Sequence, residues 1–462
     1  MLRKGYLEAS LRLPAPGPKL SDASTVEEAL VDKSAYIVDE QNNTTASSLT
    51  GDGWEVQVTF FLARPPRVSH FCISCTNNTP TVFSSEPKLV ATEGNLALIV
   101  SSHGLNPAKD DYFVYQAASV VGGSSPPTLQ RIPHPEPGLF LHHGSYYFHD
   151  QEVGFLRYRT NRPNDSPNPC RHSGGDGFDA FKIAALHDLR RKSRYNLYTY
   201  DSQTNTWDRK AVVFADQQYD EDKLAAHHCL KVITIGGDAG TMGWVDLGHG
   251  IILCDVLGGK EDSSTRRLAR YIPLPDTEQV EEEDILCGPS RRYRTVEAVH
   301  GRIEYVEVQM HVRPGPRPRR LHGTYFSAGW TIVRWSTTAA AGSSGWHMHS
   351  KLSSSDITVP ADMAAMLPTL PKDIDDDATT LERLHVGHPT ISLGDDSDIV
   401  YFMAKIDEME KEAWVIAVNT KTKVLQGVAE FTPRSLYSME FTYMPTTISK
   451  YLTPARTEVV DM

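Results

Sequence analysis

Residues 305–312 read Tyr305-Val306-Glu307-Val308-Gln309-Met310-His311-Val312. Val306, Val308, Met310 and Val312 share one parity, and Tyr305, Glu307, Gln309 and His311 share the other. An extended chain sends successive side chains to opposite faces, so this repeat of two predicts a half-buried strand. Ile251-Ile252-Leu253-Cys254 is apolar without interruption, as expected of a strand covered on both faces. Further strands are expected at Val56–Phe61, Leu96–Val100, Tyr112–Gln116, Phe155–Arg159, Lys182–Leu186, Asn196–Tyr200, Lys231–Ile235, Thr331–Trp335, Ile399–Ala404 and Ala413–Val418. Helical patterns are few: Asp222–Leu230 and Ala378–Leu384 are short candidates. Many short strands with little helix define an all-β chain.

Two of these segments resemble each other. Tyr198-Thr199-Tyr200-Asp201-Ser202-Gln203-Thr204-Asn205-Thr206-Trp207 is strand, polar turn, strand. Ile416 to Leu425 has the same form, with Asn419 where the first has Asp201 and Thr422 where it has Thr204. Asp and Asn suit that place because their side chains accept from nearby backbone amides. Val232-Ile233-Thr234-Ile235 ends in the pair Gly236-Gly237. A strand closing on two glycines, near a strand–turn–Trp unit, resembles a kelch-type blade. The expected fold is therefore an all-β, propeller-like ring of irregular blades, of kelch type on these motifs. Trp244, Trp335 and Trp414 lie inside strand patterns and are expected to pack blades.

The 462 residues are 40% hydrophobic, enough for a large core, and 23% charged, with a net charge of -12. A surplus of carboxylates repels phosphate backbones and argues against nucleic acid as a general partner. The cysteines at 72, 75, 170, 229, 254 and 287 are too sparse for a disulfide scaffold. Residues 1–20 carry basic side chains but no apolar run of signal-peptide length, and no stretch is long enough to span a bilayer. These features predict a soluble intracellular protein of the cytoplasm or nucleus, in which the sequons at Asn43 and Asn77 stay unmodified. The expected division is a poorly defined segment 1–30, a β domain over 31–453 and a tail over 454–462. Loop insertions are expected near 161–177, 260–290 and 336–377, the last read as mobile.

Several stretches resemble a plant family expanded in grasses, domain of unknown function 1618. The central match is Gly243-Trp244-Val245-Asp246-Leu247, then Gly250-Ile251-Ile252-Leu253-Cys254-Asp255-Val256-Leu257, then Arg270-Tyr271-Ile272-Pro273-Leu274-Pro275. Ala35-Tyr36-Ile37, Asn43-Thr44-Thr45-Ala46 and Ala63 to Ser69 carry it towards the N-terminus. Ala413-Trp414-Val415, Leu425-Gln426-Gly427-Val428 and Ile448 to Leu452 carry it towards the C-terminus. The family favours an aromatic residue after the WVDL run, where this chain has Gly248 and His249. The resemblance implies a plant-type, non-enzymatic protein, similar to the propellers that accompany F-boxes. Residues 1–30, broken by Pro14, Pro16 and Pro18, do not resemble an F-box.

The chemistry-bearing motifs are each weighed against a bland alternative. Asp246 and Asp255, nine residues apart across a short turn, would face each other if they divided acid and base roles. The alternative is that they fix turns through backbone amides. Cys72-Ile73-Ser74-Cys75 is a CxxC without a second pair, and residues three apart on a strand point to opposite faces. His227-His228-Cys229 and His347-Met348-His349 offer metal-ligand types without a zinc-finger or HExxH spacing. Gly236 to Gly243 is glycine-rich but leads into a strand and lacks the lysine of a phosphate loop. Arg313–Arg320 holds four arginines in eight residues, a nuclear-import or RNA contact on one reading and a solvated loop on the other. No catalytic, cofactor-binding or metal residue is assigned, and no cofactor is expected. The expected function is a non-catalytic protein–protein interaction module. A hydrolase on a propeller and a nuclear regulator are the alternatives.

Overall fold

A computed structural model of the chain describes residues 6–14, 26–75, 82–103, 110–118, 125–135, 148–159, 180–188, 195–214, 221–258, 265–275, 289–314, 325–340, 345–370, 379–395, 398–408, 410–434 and 442–452. The strands follow one another as antiparallel meanders. Blade 1 holds β1 (Ala29–Asp32), β2 (Ala46–Leu49), β3 (Glu55–Phe61) and β4 (Val68–Cys75). Blade 2 holds β5 (Lys88–Glu93), β6 (Leu96–Ser102), β7 (Asp110–Gln116) and β8 (Thr128–Ile132). Blade 3 holds β9 (Val153–Tyr158), β10 (Ala180–Asp188), β11 (Tyr195–Asp201) and β12 (Thr206–Phe214). Blade 4 holds β13 (Lys231–Gly236), β14 (Thr241–Asp246), β15 (Gly250–Asp255) and β16 (Arg266–Pro273). Blade 5 holds β17 (Arg294–Val299), β18 (Arg302–Pro314), β19 (Tyr325–Thr337) and β20 (His347–Ser353). Blade 6 holds β21 (His385–Ile391), β22 (Ile399–Lys405), β23 (Ala413–Asn419) and β24 (Val424–Phe431).

The last strand, β25 (Tyr443–Thr446), returns to blade 1. It pairs antiparallel with β1, Ala29 opposite Thr446, while β1 runs parallel to β4. β5, β9, β13, β17, β21 and β25 pack one beside the next at the inner edges of the sheets. A bridge from Ser34 to Lys88 joins blade 1 to β5. The described residues thus form a closed, propeller-like ring of six blades, sealed by pairing the N-terminal strand with the C-terminal one. Blades 3 and 4 are also joined at the outer rim, where β12 pairs parallel with β16 from Ala211–Arg266 to Phe214–Ala269. That pairing hides two sheet edges that would otherwise template association.

The core is divided among the blade interfaces. One buried cluster lies between each neighbouring pair, and each strand supplies alternate residues to two of them. Tyr305 packs with Val296 and Val245 between blades 4 and 5, while Val306, Val308 and Met310 pack with Trp330 and Phe402 between blades 5 and 6. Ile251 and Leu253 go to the first of these interfaces, and Ile252 and Cys254 to the interface of blades 3 and 4. Leu30 faces blade 6, whereas Ala29 and Val31 face blade 2. The reading of 305–312 as half-buried therefore needs correction. Its period of two is right, but the polar face also lies against a blade: Glu307 is 7% exposed and accepts from Arg294 and Tyr305. Face-to-face stacking leaves no wet side, so polar groups there must be paired.

The repeated turns are alike in geometry. The carboxylate of Asp201 accepts from the Gln203 amide, and the side-chain oxygen of Asn419 accepts from the Lys421 and Thr422 amides. Four residues past each, Asn205 and Lys423 adopt φ of +57° and +58°. Both turns join the third and fourth strands of their blades. Gly236 and Gly237 (φ +80° and +77°) begin the β13–β14 turn in a region that other residues rarely adopt. The helical expectations shrink to the turns Glu221–Ala225 and Thr380–Arg383, the second with Thr379 and Glu382 capping each other.

Two expected insertions are corrected. Within 336–377, β20 is the outer strand of blade 5, paired with β19 from Thr331–Ser353 to Ser336–His347. Within 260–290, β16 is the outer strand of blade 4. Small polar residues on an edge strand lack the apolar alternation that marks central ones, which hid β20 from sequence. The expected insertion at 161–177 lies outside the described residues. Of segment 1–30, Glu8–Leu11 forms a single turn held to Glu86 through the Leu7 amide and the Ser10 hydroxyl.

Candidate functional site

The inner strands surround a central cavity of about 150 Å³. Every blade lines it: Val90, Gly154, Val232, Thr295, Pro389 and Met444 come from β5, β9, β13, β17, β21 and β25 respectively. Close approach at the centre sets residue size. A Cβ on Gly154 would lie 2.5 Å from both Met242 and Val232, so glycine lets β9 reach β13. Charged side chains enter the lining as Lys33, Lys231 and Arg291 against Glu93, Asp150 and Glu297. Lys231 is bound to Glu297, and Lys88 reaches Asp150 at 3.0 Å. Burial lowers the Lys33 ammonium to about 8, with Asp150 and Glu297 opposing the shift and Lys231 and Lys88 adding to it.

His388 stands at the wall of this cavity with φ +53° in a bulge of β21. Its Nε2 accepts from the Thr442 amide at 2.8 Å, and its ring stacks on Tyr443 with centroids 4.2 Å apart. Accepting at Nε2 requires an unprotonated nitrogen, and burial pushes the imidazole down to about 3. This neutral histidine couples blade 6 to the strand that closes the ring. Glu28 does the same from the other end of the chain. Its carboxylate accepts from Ser392 Oγ (2.7 Å), the Leu393 and Gly394 amides (2.6 and 3.1 Å) and Tyr401 Oη (2.6 Å). Arg434, just past β24, donates to Asp32 at 2.8 Å and to the Ala35 carbonyl at 2.6 Å, and lies 4.0 Å from the Tyr36 ring centroid. Sequence reasoning missed all three, because Glu28 and Arg434 act across more than 350 residues and His388 across 54, and no local pattern marks such contacts.

The residues singled out from sequence are not brought together. Register places Asp246 opposite Gly250 and Asp255 opposite Thr241, at the two ends of the β14–β15 hairpin. Asp246 accepts from the His228 and Gly248 amides at 2.8 Å each and meets His249 Nδ1 at 2.9 Å. Asp255 accepts from Thr241 Oγ1 at 2.6 Å. An acid–base pair across this hairpin is thereby ruled out, and Asp246 is the turn-fixing carboxylate of the alternative. Cys72 and Cys75 are buried thiols on β4, opposite Thr59 and Val56, and burial pushes Cys72 up to about 12. His227 is buried edge-on to Tyr271, which lowers it to about 4, and the Cys229 thiol donates to the Gln151 carbonyl. His347 and Met348 are exposed on β20, and His349 Nε2 meets Ser336 Oγ at 2.5 Å. Among the described residues no group of three or more His, Cys, Asp or Glu converges as a metal site, and no helix is long and apolar enough to cross a membrane. Asn43 is exposed, whereas Asn77, Cys170, Cys287 and residues 315–320 lie outside the described residues.

Tryptophans brace the ring instead. Indole Nε1 of Trp207 donates to Pro133 O (2.7 Å), of Trp244 to Glu152 O (2.8 Å), of Trp346 to Pro273 O (2.8 Å) and of Trp330 to Leu381 O (3.1 Å). Each bond crosses from one blade, or its entry segment, to the next. Trp244 and Trp335 are buried at blade interfaces and Trp414 is partly buried, as the strand patterns predict.

Fold and site together define a closed, mostly β, propeller-like ring around a small charged cavity. The chain carries a domain of the family described as "Protein of unknown function (DUF1618)", matched over residues 244–401. That span runs from β14 to β22. No curated protein matches the chain. Among solved structures it is similar to dipeptidyl peptidase 4 of Porphyromonas gingivalis, at 9% identity and a TM-score of 0.25, covering 71% of this chain and 37% of that one. A prolyl endopeptidase structure shares 9% identity at a TM-score of 0.24, over 74% of this chain and 42% of that one. Penicillium chrysogenum alpha-L-arabinanase complexed with arabinobiose shares 10% identity at 0.21, over 88% and 98%. The chain thus spans well under half the length of the two peptidases. At these scores the likenesses add nothing to the topology read from the strands.

Proposed function

We propose that this chain is a non-catalytic recognition module, a rigid ring that presents a preformed surface to a protein partner. The observation that carries the reading is the exposed pair Leu49 and Trp54, 59% and 39% exposed, on one fixed hairpin tip. Thr50 and Trp54 close the tip through the bonds Thr50 N to Trp54 O (2.8 Å) and Trp54 N to Thr50 Oγ1 (2.9 Å). The Gly51 amide donates to Asp111 of blade 2 at 2.8 Å, tying the tip to the scaffold. A turn whose backbone is already fixed in the free protein loses little entropy on binding, and aromatic side chains dominate interface energetics. The same scaffold uses Asp246 to hold a turn and His388 to hold β25 against blade 6.

The test is affinity capture from plant tissue by the intact chain and by the Leu49→Ser/Trp54→Ser variant, followed by binding measurements with the purified candidate. A direct partner bound by the intact chain and weakened about a hundredfold by the double substitution supports the reading. Equal binding by a variant with unchanged melting temperature overturns the assignment of the tip.

A further inference from the structure

We propose that His347 and His349, on the outer strand of blade 5, form a surface site for one divalent transition-metal ion, taken most tightly as copper(II). This inference stands apart from the recognition reading, which concerns the outer hairpin of blade 1.

A bulge in β20 carries it. His347 stands opposite Ser336, Met348 opposite Trp335 and Ser350 opposite Arg334, which leaves His349 as the extra residue of the pairing with β19. Residues directly opposed across two strands point to the same face, so His347 shares the face of Ser336. His349 comes to that face as well, because its Nε2 meets Ser336 Oγ at 2.5 Å. Met348 goes with Trp335 to the other face. Both histidines are exposed. Two residues along a strand span about 6.5 Å. Imidazoles at that spacing can close on one ion about 2 Å from each nitrogen.

The surroundings select the kind of ion. With Nε2 of His349 on Ser336, Nδ1 is the nitrogen left for a metal. The hydroxyl then orients the ring from behind, as the outer partners of metal-binding histidines do. Ser336 is itself held by Arg302. Deeper in the same row, Glu304 stands opposite Ser336 and is paired with Arg334 at 3.6 Å. Its carboxylate is thus engaged, and the two guanidinium groups disfavour a hard cation such as magnesium or calcium, which needs several oxygen ligands. Imidazole nitrogen instead suits zinc, nickel and copper, and affinity along that row peaks at copper(II). Two imidazoles are fewer ligands than a structural zinc site uses, so the remaining positions fall to water. That is consistent with the lack of a three-residue cluster among the described residues.

The test is titration of the full chain with copper(II) in a weakly coordinating buffer, followed by calorimetry and electron paramagnetic resonance. The tightest equivalent of copper is expected to show couplings to imidazole nitrogen. Nickel(II) and zinc(II) should bind more weakly, and magnesium and calcium not at all. His347→Ala and His349→Ala should each weaken that equivalent about tenfold or more, and the double variant should lose it, while His249→Ala, at another exposed histidine, leaves it intact. Copper should also raise the melting temperature of the wild type but not of the double variant, whose metal-free melting temperature shows that it folds. A tightest copper equivalent that survives in the folded double variant, or one without nitrogen couplings, would overturn the proposal.

Discussion

Two buried side chains, Glu28 and His388, show how single residues hold this ring shut. Glu28 satisfies two backbone amides and two hydroxyls of blade 6 from a position just before β1. Truncation would strand those donors in a dry interface. Glu28→Ala is therefore expected to cost about 3 kcal/mol, and Glu28→Gln less, measured by urea unfolding. His388 makes stability depend on acid. Its folded pKa of about 3, and that of His227 at about 4, lie below the usual value near 6.5 of an unfolded histidine. As pH falls below about 6.5 the unfolded chain takes up protons that the folded chain refuses. The contribution is thus complete above that pH and drains as pH drops towards 3–4, by up to about 1.4 kcal/mol per unit for each group. The urea midpoint should fall between pH 7 and pH 5, and His388→Asn should make the decline shallower. An unchanged midpoint in the wild type would contradict this. None of it was legible locally, because an isolated glutamate or an HP dipeptide says nothing of a partner on a neighbouring blade that is distant in sequence.

Among the elements, central strands and the inner strands β9 and β13 were plain from sequence, and the outer strand β20 was not. Ile251–Cys254 and residues 305–312 carried a full apolar parity because both of their faces meet neighbouring blades. β20 reads His347-Met348-His349-Ser350-Lys351-Leu352-Ser353, and only Leu352 of these is buried. Its strand character comes from pairing with β19, which composition does not record. Deleting 336–377 as a loop would therefore remove an entire blade edge. The turn resemblance between 198–207 and 416–425 held because a side-chain acceptor and a left-handed fourth residue are both local requirements. The indole braces give the prediction at this scale. Trp346→Phe keeps the ring but leaves the Pro273 carbonyl without its donor, at a cost of about 1–2 kcal/mol in thermal or urea unfolding. Trp207→Phe, facing Pro133, should behave alike, and the two costs should add because the residues lie in different interfaces.

For the whole molecule, ring closure is the central claim, and it links the preceding scales. The sixth interface exists only if the first and last blades meet, and they meet through β1 and β25. The alternatives for a repetitive β chain, an open arc or a slipped register, would leave Leu30 and Tyr443 without the cover they now have at 0% and 1% exposure. A general propeller-like fold was legible from the number of strands, the repeated strand–turn–strand unit and the family resemblance. The number of blades and the way the ends join were not, since β1 is four residues long and pairs with partners far away in sequence. The most direct measurement is an engineered disulfide between Ala29→Cys and Thr446→Cys, which stand opposite each other in the β1–β25 pairing. Closure predicts near-complete bond formation under mild oxidation, mapped by mass spectrometry, with a raised melting temperature that reduction reverses. Two thiols that remain free in the folded variant, or that bond only between molecules, would contradict the closed ring.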